Sequence, residues 1–177
     1  MPDAARRGGA PAAWVTAHLA LLAPGGRALD VACGTGRHAL ALAEAGLRVH
    51  AMDRDAAALD ALGAEASRRG LPVSCDAIDL ETDPPPDLGD AAYAAIVVVH
   101  YLYRPLFPAL VRALAPAGLL IYETFTTAQA ARGRPTNPAF LLRPGELRAL
   151  VEPLTIVDWR EGDVEGRAVA SVVARRA

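Results

Sequence analysis

The stretch Ala28 to Arg37 reads Ala-Leu-Asp-Val-Ala-Cys-Gly-Thr-Gly-Arg, an apolar run that carries one acid and closes on two glycines. Gly34 and Gly36 at the end of such a run let the backbone approach a ligand closely, and they feed a helix start whose open N–H groups favour negative charge. Asp53 follows Gly34 by about 20 residues, the interval at which an acid closes the next strand and accepts hydrogen bonds from the vicinal hydroxyls of a ribose. Asp79 falls past a third apolar run, where a carboxylate can accept from an adenine amino group. Together these acids and glycines describe a nucleoside site at the carboxyl ends of neighbouring parallel strands.

Two nucleoside cofactors compete for such a site. Gly34, Gly36 and Ala39 match G-x-G-x-x-A, the dinucleotide fingerprint, so a nicotinamide oxidoreductase is one reading. Asp30 decides against it. A carboxylate inside the strand, four positions before Gly34, repels a doubly anionic pyrophosphate and favours a ligand with an ammonium and a sulfonium. That ligand is S-adenosylmethionine, with S-adenosylhomocysteine as product after transfer of its methyl group.

The elements that must position these residues follow from the punctuation. Helices are predicted over 11–22, 38–45, 55–69, 105–114 and 144–151, with Asp55 as N-cap of the third and Gly70 closing it. Strands are predicted over 27–32, 48–52, 73–77, 94–99, 119–124, 154–160 and 167–175. Residues 81–90 contain Pro84, Pro85 and Pro86 and must be a loop. The long interval 125–143, rich in Gly, Pro and Thr, predicts a lid that is mobile without ligand and orders on binding. Alternating strands and helices imply a mostly parallel sheet covered on both faces, and the last two strands, joined by a turn over 162–166, close as an antiparallel hairpin. Residues 1–10 are expected to be flexible and 11–177 to form one domain.

Composition narrows the function. The chain has 177 residues, a net charge of −2 and two cysteines, Cys33 and Cys75, without metal-ligand spacing. No metal site, nucleic-acid face or membrane span is expected, and the absence of a signal-like segment points to the cytoplasm. All 18 basic residues are Arg, so lysine-based Schiff-base chemistry and a P-loop are excluded. A monomer or a homodimer is expected.

With Asp30, Gly34, Gly36, Asp53 and Asp79 in place, the chain resembles class I S-adenosylmethionine-dependent methyltransferases over almost its whole length. Several stretches are similar to the small bacterial tellurite-resistance-like methyltransferases: Cys33 to His38, Tyr101 to Pro105, Tyr122 to Phe125 and Gly133 to Pro138. The resemblance implies a single Rossmann-like α/β domain whose seven-stranded sheet is ordered 3-2-1-4-5-7-6, strand 7 antiparallel. It implies Asp30 near the methionine portion, Cys33, Gly34 and Gly36 along the backbone contact, Asp53 at the ribose, and Asp79 with Leu80 beside adenine. His100 would stand where cofactor and acceptor meet. The sequence Val99-His-Tyr-Leu-Tyr103 lacks the Asn/Asp-Pro-Pro-aromatic pattern of amino-methylating DNA enzymes, which disfavours a nucleobase substrate.

His100, Tyr101, Arg104 and Glu123 are the catalytic candidates, and Phe125, Arg134 and Asn137 the substrate-binding ones. All lie at strand ends four and five or in the long loop. The expected activity is methyl transfer to a small-molecule acceptor: a thiol, a chalcogen oxyanion or a small metabolite. A non-catalytic S-adenosylmethionine sensor or activating subunit is the alternative.

Overall fold

A computed structural model describes residues 9–177, so most of the segment read as flexible lies outside the described residues. Seven strands form one sheet ordered β3-β2-β1-β4-β5-β7-β6. They are β1 (Arg27–Val31), β2 (Arg48–Asp53), β3 (Val73–Ala77), β4 (Tyr93–Val99), β5 (Leu114–Phe125), β6 (Thr155–Val164) and β7 (Arg167–Arg175). β1 to β5 run parallel, while β7 is antiparallel to both β5 and β6. The expected topology and hairpin are both present.

Five helices cover the faces: α1 (Ala13–His18), α2 (Arg37–Glu44), α3 (Ala56–Arg69), α4 (Phe107–Ala113) and α5 (Glu146–Leu150). Strand alternation divides the core into two layers. Ala28, Val97, Val99, Ile121 and Val173 meet α1, α2 and α3 through Trp14, Leu42 and Leu62. Leu29, Val31, Ile96, Val98 and Tyr122 meet α4 and α5 through Phe107, Leu110 and Leu147. Asp30 is the exception in β1. It follows Leu29 and precedes Val31, and the two-residue period turns it to the α2 side of the sheet.

Local signals explain the boundaries. The Asp55 carboxylate accepts from the Ala58 N–H at 3.1 Å, and Gly70 stops α3 in the left-handed region at φ +66°. Several boundaries differ from expectation, including that of the first helix, which is α-helical over Ala13–His18 and passes into a 3-10 turn over Leu19–Leu21. Pro116 to Gly118 lie within β5, which begins at Leu114 and not at the predicted residue 119. They form an irregularity inside it, where the register passes from Tyr93↔Leu114 to Ala95↔Leu119. Gly118 is required there, because a Cβ would lie 2.7 Å from the Ala115 carbonyl oxygen. The final hairpin turns tightly at Glu165 and Gly166, so β6 runs to Val164 instead of stopping at residue 160. The predicted fourth helix begins as a 3-10 turn over Arg104–Leu106. Among the described residues no helix is long and apolar enough to cross a membrane.

Candidate functional site

The glycine turn joins the carboxyl end of β1 to α2. Gly34 and Gly36 both take left-handed backbone, at φ +55° and +76°. Gly36 is locked from behind: a Cβ would meet the Leu62 side chain at 2.3 Å. At Gly34 a Cβ would meet nothing within 4 Å, so the turn is open where a ligand would approach. Asp53, at the end of β2, braces this turn. Its Oδ2 accepts the Gly34 N–H at 2.8 Å and its Oδ1 the Asp55 N–H at 2.9 Å. Each oxygen keeps a second lone pair, so the carboxylate can still accept from two hydroxyls.

Asp30 lies beneath the same turn and is 1% exposed. Burial lifts its carboxyl from 3.8 to about 7, against the Ala39 backbone N–H and the Arg37 guanidinium, which pull it down. Asp53 adds to the rise. The Asp30 Oδ2 atom is buried with no hydrogen-bond partner among the described residues. An unpartnered buried carboxylate oxygen is costly unless a cation or donor reaches it.

The loop after β3 starts beside Asp53, whose carbonyl oxygen accepts the Ile78 N–H at 2.9 Å. Leu80 is buried, and the exposed Asp79 accepts the Glu81 N–H through Oδ1 at 2.9 Å, which shapes the loop. Tyr101, just past β4, points its hydroxyl toward this loop. That hydroxyl is buried without a partner, and burial first, then the nearby Glu81 and Asp79 carboxylates, raise its pKa. It stays protonated and can donate.

His100 is the first residue beyond β4 and holds φ +57°, a conformation rare for a non-glycine residue and concentrated at functional sites. Its N–H donates to the Glu123 carbonyl oxygen at 2.8 Å, and its ring stacks on Phe125 with centroids 4.6 Å apart. His100, Phe125 and Asp30 therefore come together around the ends of β1, β4 and β5.

Other sequence-predicted residues have structural partners. Arg104 grips Glu146 with Nε and one Nη, at 2.7 and 2.9 Å, and donates to the Ala139 and Leu141 carbonyl oxygens. It is a strut between β4 and the long loop, because α5 supplies a carboxylate that sequence spacing did not reveal. Glu123 is buried, and its Oε2 accepts from Ser171 Oγ at 2.6 Å and from Arg160 at 2.9 Å. Both partners come from the closing hairpin. Asn137 caps its own 3-10 turn by accepting the Ala139 N–H at 3.0 Å, and the Arg134 side chain is exposed. Burial pushes the Cys33 thiol up, and its side chain packs in the core beside the turn.

The long interval 125–143 contains two 3-10 turns, Thr127–Ala131 and Pro138–Phe140. Its base is closed by a bridge between Thr126 and Leu142, and Gln129 accepts the Ala168 N–H at 2.9 Å. Sequence reasoning missed several contributors to the α2 side. His38 Nε2 accepts the Ala12 N–H at 3.2 Å, which fastens the segment ahead of α1 over the site. Burial, then the Arg37 and His100 charges, hold His38 down at about 3, so it is neutral. Arg160 lies over the Trp14 ring, 4.7 Å from its centroid. No local signal marks Arg160, since its place depends on hairpin register.

No curated protein sequence matches the chain. The sequence profile of a family described as a methyltransferase domain matches residues 28–118, from β1 into β5. Among solved structures, TehB from Haemophilus influenzae is 18% identical with a TM-score of 0.78, over 92% of this chain and 61% of that one. The chain thus spans 61% of the length of TehB. A SAM dependent methyltransferase from Aquifex aeolicus is 18% identical with a TM-score of 0.67, over 88% of this chain and 85% of that one. The [4+2]-cyclase SpnF is 19% identical with a TM-score of 0.72, over 92% of this chain and 79% of that one. At such identities the likeness concerns the fold.

Proposed function

The chain belongs to the methyltransferase domain family, and we propose that it carries a methyl group from S-adenosylmethionine to a small-molecule acceptor. One observation carries the choice of cofactor: the buried Asp30 carboxylate, whose Oδ2 lacks a partner, lies under a glycine turn that is open on its ligand side. A pyrophosphate there would meet a negative charge at close range, whereas a ligand with an ammonium and a sulfonium supplies what the oxygen lacks. Bound, that cofactor supplies a methyl carbon already activated by a positively charged sulfur.

The chain's own residues then bind, orient and exclude water. Asp30 holds the cationic amino-acid end, and Cys33, Gly34 and Gly36 give it close backbone contact. Asp53 accepts from the ribose hydroxyls while bracing Gly34. Asp79 and Leu80 flank the adenine, with the Tyr101 hydroxyl donating into the same crevice. Phe125 and His100 form the floor on which the acceptor lies. Arg104 and Glu123 act as positioning residues, because their polar atoms are engaged with Glu146, Arg160 and Ser171. With Glu123 so engaged and Tyr101 kept protonated, the site favours acceptors that need little base, such as thiols and chalcogen oxyanions.

Titration calorimetry with S-adenosylmethionine and with NADH tests the cofactor. Binding of NADH and not S-adenosylmethionine would sink the proposal. Incubation with methyl-labelled cofactor and thiols, phenols, selenite, tellurite or small carboxylates then tests transfer. Label that stays with the cofactor throughout would leave a binding subunit as the better description.

A further inference from the structure

The end of the sheet opposite the crevice carries a second cluster, which methyl transfer does not use. Arg27 opens β1 and Arg48 opens β2, and the two are register partners across the β1–β2 ladder. Arg27 shares its face with Leu29, and Arg48 shares the same face with Met52. His50 lies on that face too, with Ser74 and Asp76 from β3. Like charges directly opposite one another in a sheet repel. Among the described residues, neither guanidinium has an ion pair or a hydrogen bond. Arg27 lies over the Tyr93 ring, 5.1 Å from its centroid, a contact that leaves its N–H groups unused. Asp76 is taken by His50: the carboxylate accepts from Nε2 at 2.8 Å, and Nδ1 lies 2.8 Å from the Tyr93 hydroxyl. That chain fixes the ring on which Arg27 rests and pairs the acid with the imidazole, not with either arginine.

A cavity of about 310 Å³ opens at this corner, lined by Arg27, Arg48 and His50 from β1 and β2 and by Leu71, Pro72 and Ser74 from β3 and its approach. The link from β3 to β4 is made without a helix, which leaves room for it. We propose that this cavity is an anion site for a phosphate group, separate from the cofactor crevice and independent of the methyl-transfer reading. Two guanidiniums on neighbouring strands, about 5 Å apart at the backbone, can each give paired N–H donors to one tetrahedral dianion. The dianion also removes the repulsion between them. Ser74 adds a hydroxyl. Its bond to the Val49 carbonyl oxygen is 3.3 Å, longer than an ordinary O–H···O bond, so it can turn to the ligand at little cost. The volume falls at the lower end of the roughly 300–1,000 Å³ of small-molecule sites, and Leu71 and Pro72 give it an apolar lip. The chemical class is therefore inorganic phosphate or a small phosphate monoester, not a polyanion.

The full chain is titrated at pH 8 with sodium phosphate and with glycerol 1-phosphate, against sodium chloride at matched ionic strength. Arginine Nε–H and backbone amide resonances report where each binds, and thermal melts report whether binding stabilises the fold. At least one phosphate compound should shift the Arg27, Arg48 and Ser74 signals saturably and raise the melting temperature beyond the chloride control. The tighter of the two identifies the source as the free ion or an ester. Arg27→Gln and Arg48→Gln should each weaken phosphate binding at least about tenfold and abolish most of the phosphate-dependent rise in melting temperature. A response to both compounds no greater than to chloride overturns the inference. So do variants that bind phosphate as the parent does. Shifts centred on Gly34 that S-adenosylhomocysteine abolishes overturn it as well, because the anion would then lie in the crevice. A response to heparin alone would make the corner a polyanion surface and is equally fatal.

Discussion

Replacing Asp30 by Asn should make the protein more stable and a worse binder, and the two effects have one cause. The parent carboxyl is 1% exposed, and its pKa rises from 3.8 to about 7 on folding. Between those values the native state keeps a proton that the unfolded chain has lost, so stability falls as pH rises from about 4 to about 7. Above that window the full cost is present, roughly 4 kcal/mol as an upper limit. Asparagine does not titrate, though its buried amide still needs partners, which offsets about 1–3 kcal/mol of the gain. Asp30→Asn should therefore melt several degrees above the parent at pH 8, at about 2–4 °C per kcal/mol for a chain of this size. The advantage should vanish toward pH 4.

Binding moves the other way. A cationic ligand favours the ionised carboxylate, so affinity for S-adenosylmethionine should rise with pH up to about 7, and binding below that pH should expel a proton. Losing a hydrogen bond to a charged group costs about 1.5–3 kcal/mol, or about 10–150-fold in Kd. Scanning calorimetry at pH 5 and 8, with titration calorimetry in buffers of different ionisation enthalpy, measures both effects. A variant that melts below the parent at pH 8, or that keeps the parent's affinity and pH profile, would refute the reasoning.

Asp53→Ala removes the brace on Gly34 together with the ribose acceptor, and calorimetry should record about 1–3 kcal/mol of lost cofactor affinity. Glu146→Ala leaves Arg104 without its carboxylate and should cost about 1–3 kcal/mol, less than a fully buried pair because Arg104 is partly exposed. Amide exchange should quicken at Thr127 and Leu142, the base of the long loop, and unchanged exchange would count against the strut. Arg104 also holds Glu146 down at about 2, so this contribution should persist at neutral pH and fade as pH drops below about 4.5 toward 2. Gly36→Ala combines a left-handed backbone with a Cβ 2.3 Å from Leu62, and should destabilise by about 2–4 kcal/mol in a thermal melt. Adding Leu62→Ala should not restore stability, since the backbone strain remains and a cavity opens.

The glycine turn and the acid that braces it were legible because their determinants are local. Strand, glycine turn and helix start are contiguous in residues 27–45, and an acid closing the next strand must come to rest beside them once the sheet is parallel. The acceptor half is assembled from segments far apart in the chain. Glu123 looked available because Arg160 and Ser171, which engage it, come from a hairpin whose register no periodicity fixes. Arg104 stood as a catalytic candidate because Glu146, which engages it, opens a helix only five residues long, on the far side of the loop. The strand predicted over 119–124 begins earlier, at Leu114, because the chain there pairs with Tyr93, an interaction the local sequence does not signal.

Burial and chemistry support the proposed site independently of sequence pattern. Among the described residues, the buried side-chain polar atoms without partners are Asp30 Oδ2 and the Tyr101 hydroxyl. Other polar groups taken into the core are satisfied: Glu123 by Arg160 and Ser171, Gln129 by the Ala168 N–H and the Arg134 carbonyl oxygen, His18 by the Trp14 carbonyl oxygen and Asp158. A fold that pairs its buried polar groups this thoroughly has no stability reason to leave two unpaired. Their positions are not scattered either. Asp30 lies near the end of β1 and Tyr101 just past β4, neighbours in the sheet, on either side of the crevice where open parallel sheets take ligands. One orphan is a carboxylate that calls for a cation, and the other is a protonated phenol that calls for an acceptor. A ligand that is cationic at one end and rich in nitrogen lone pairs at the other answers both.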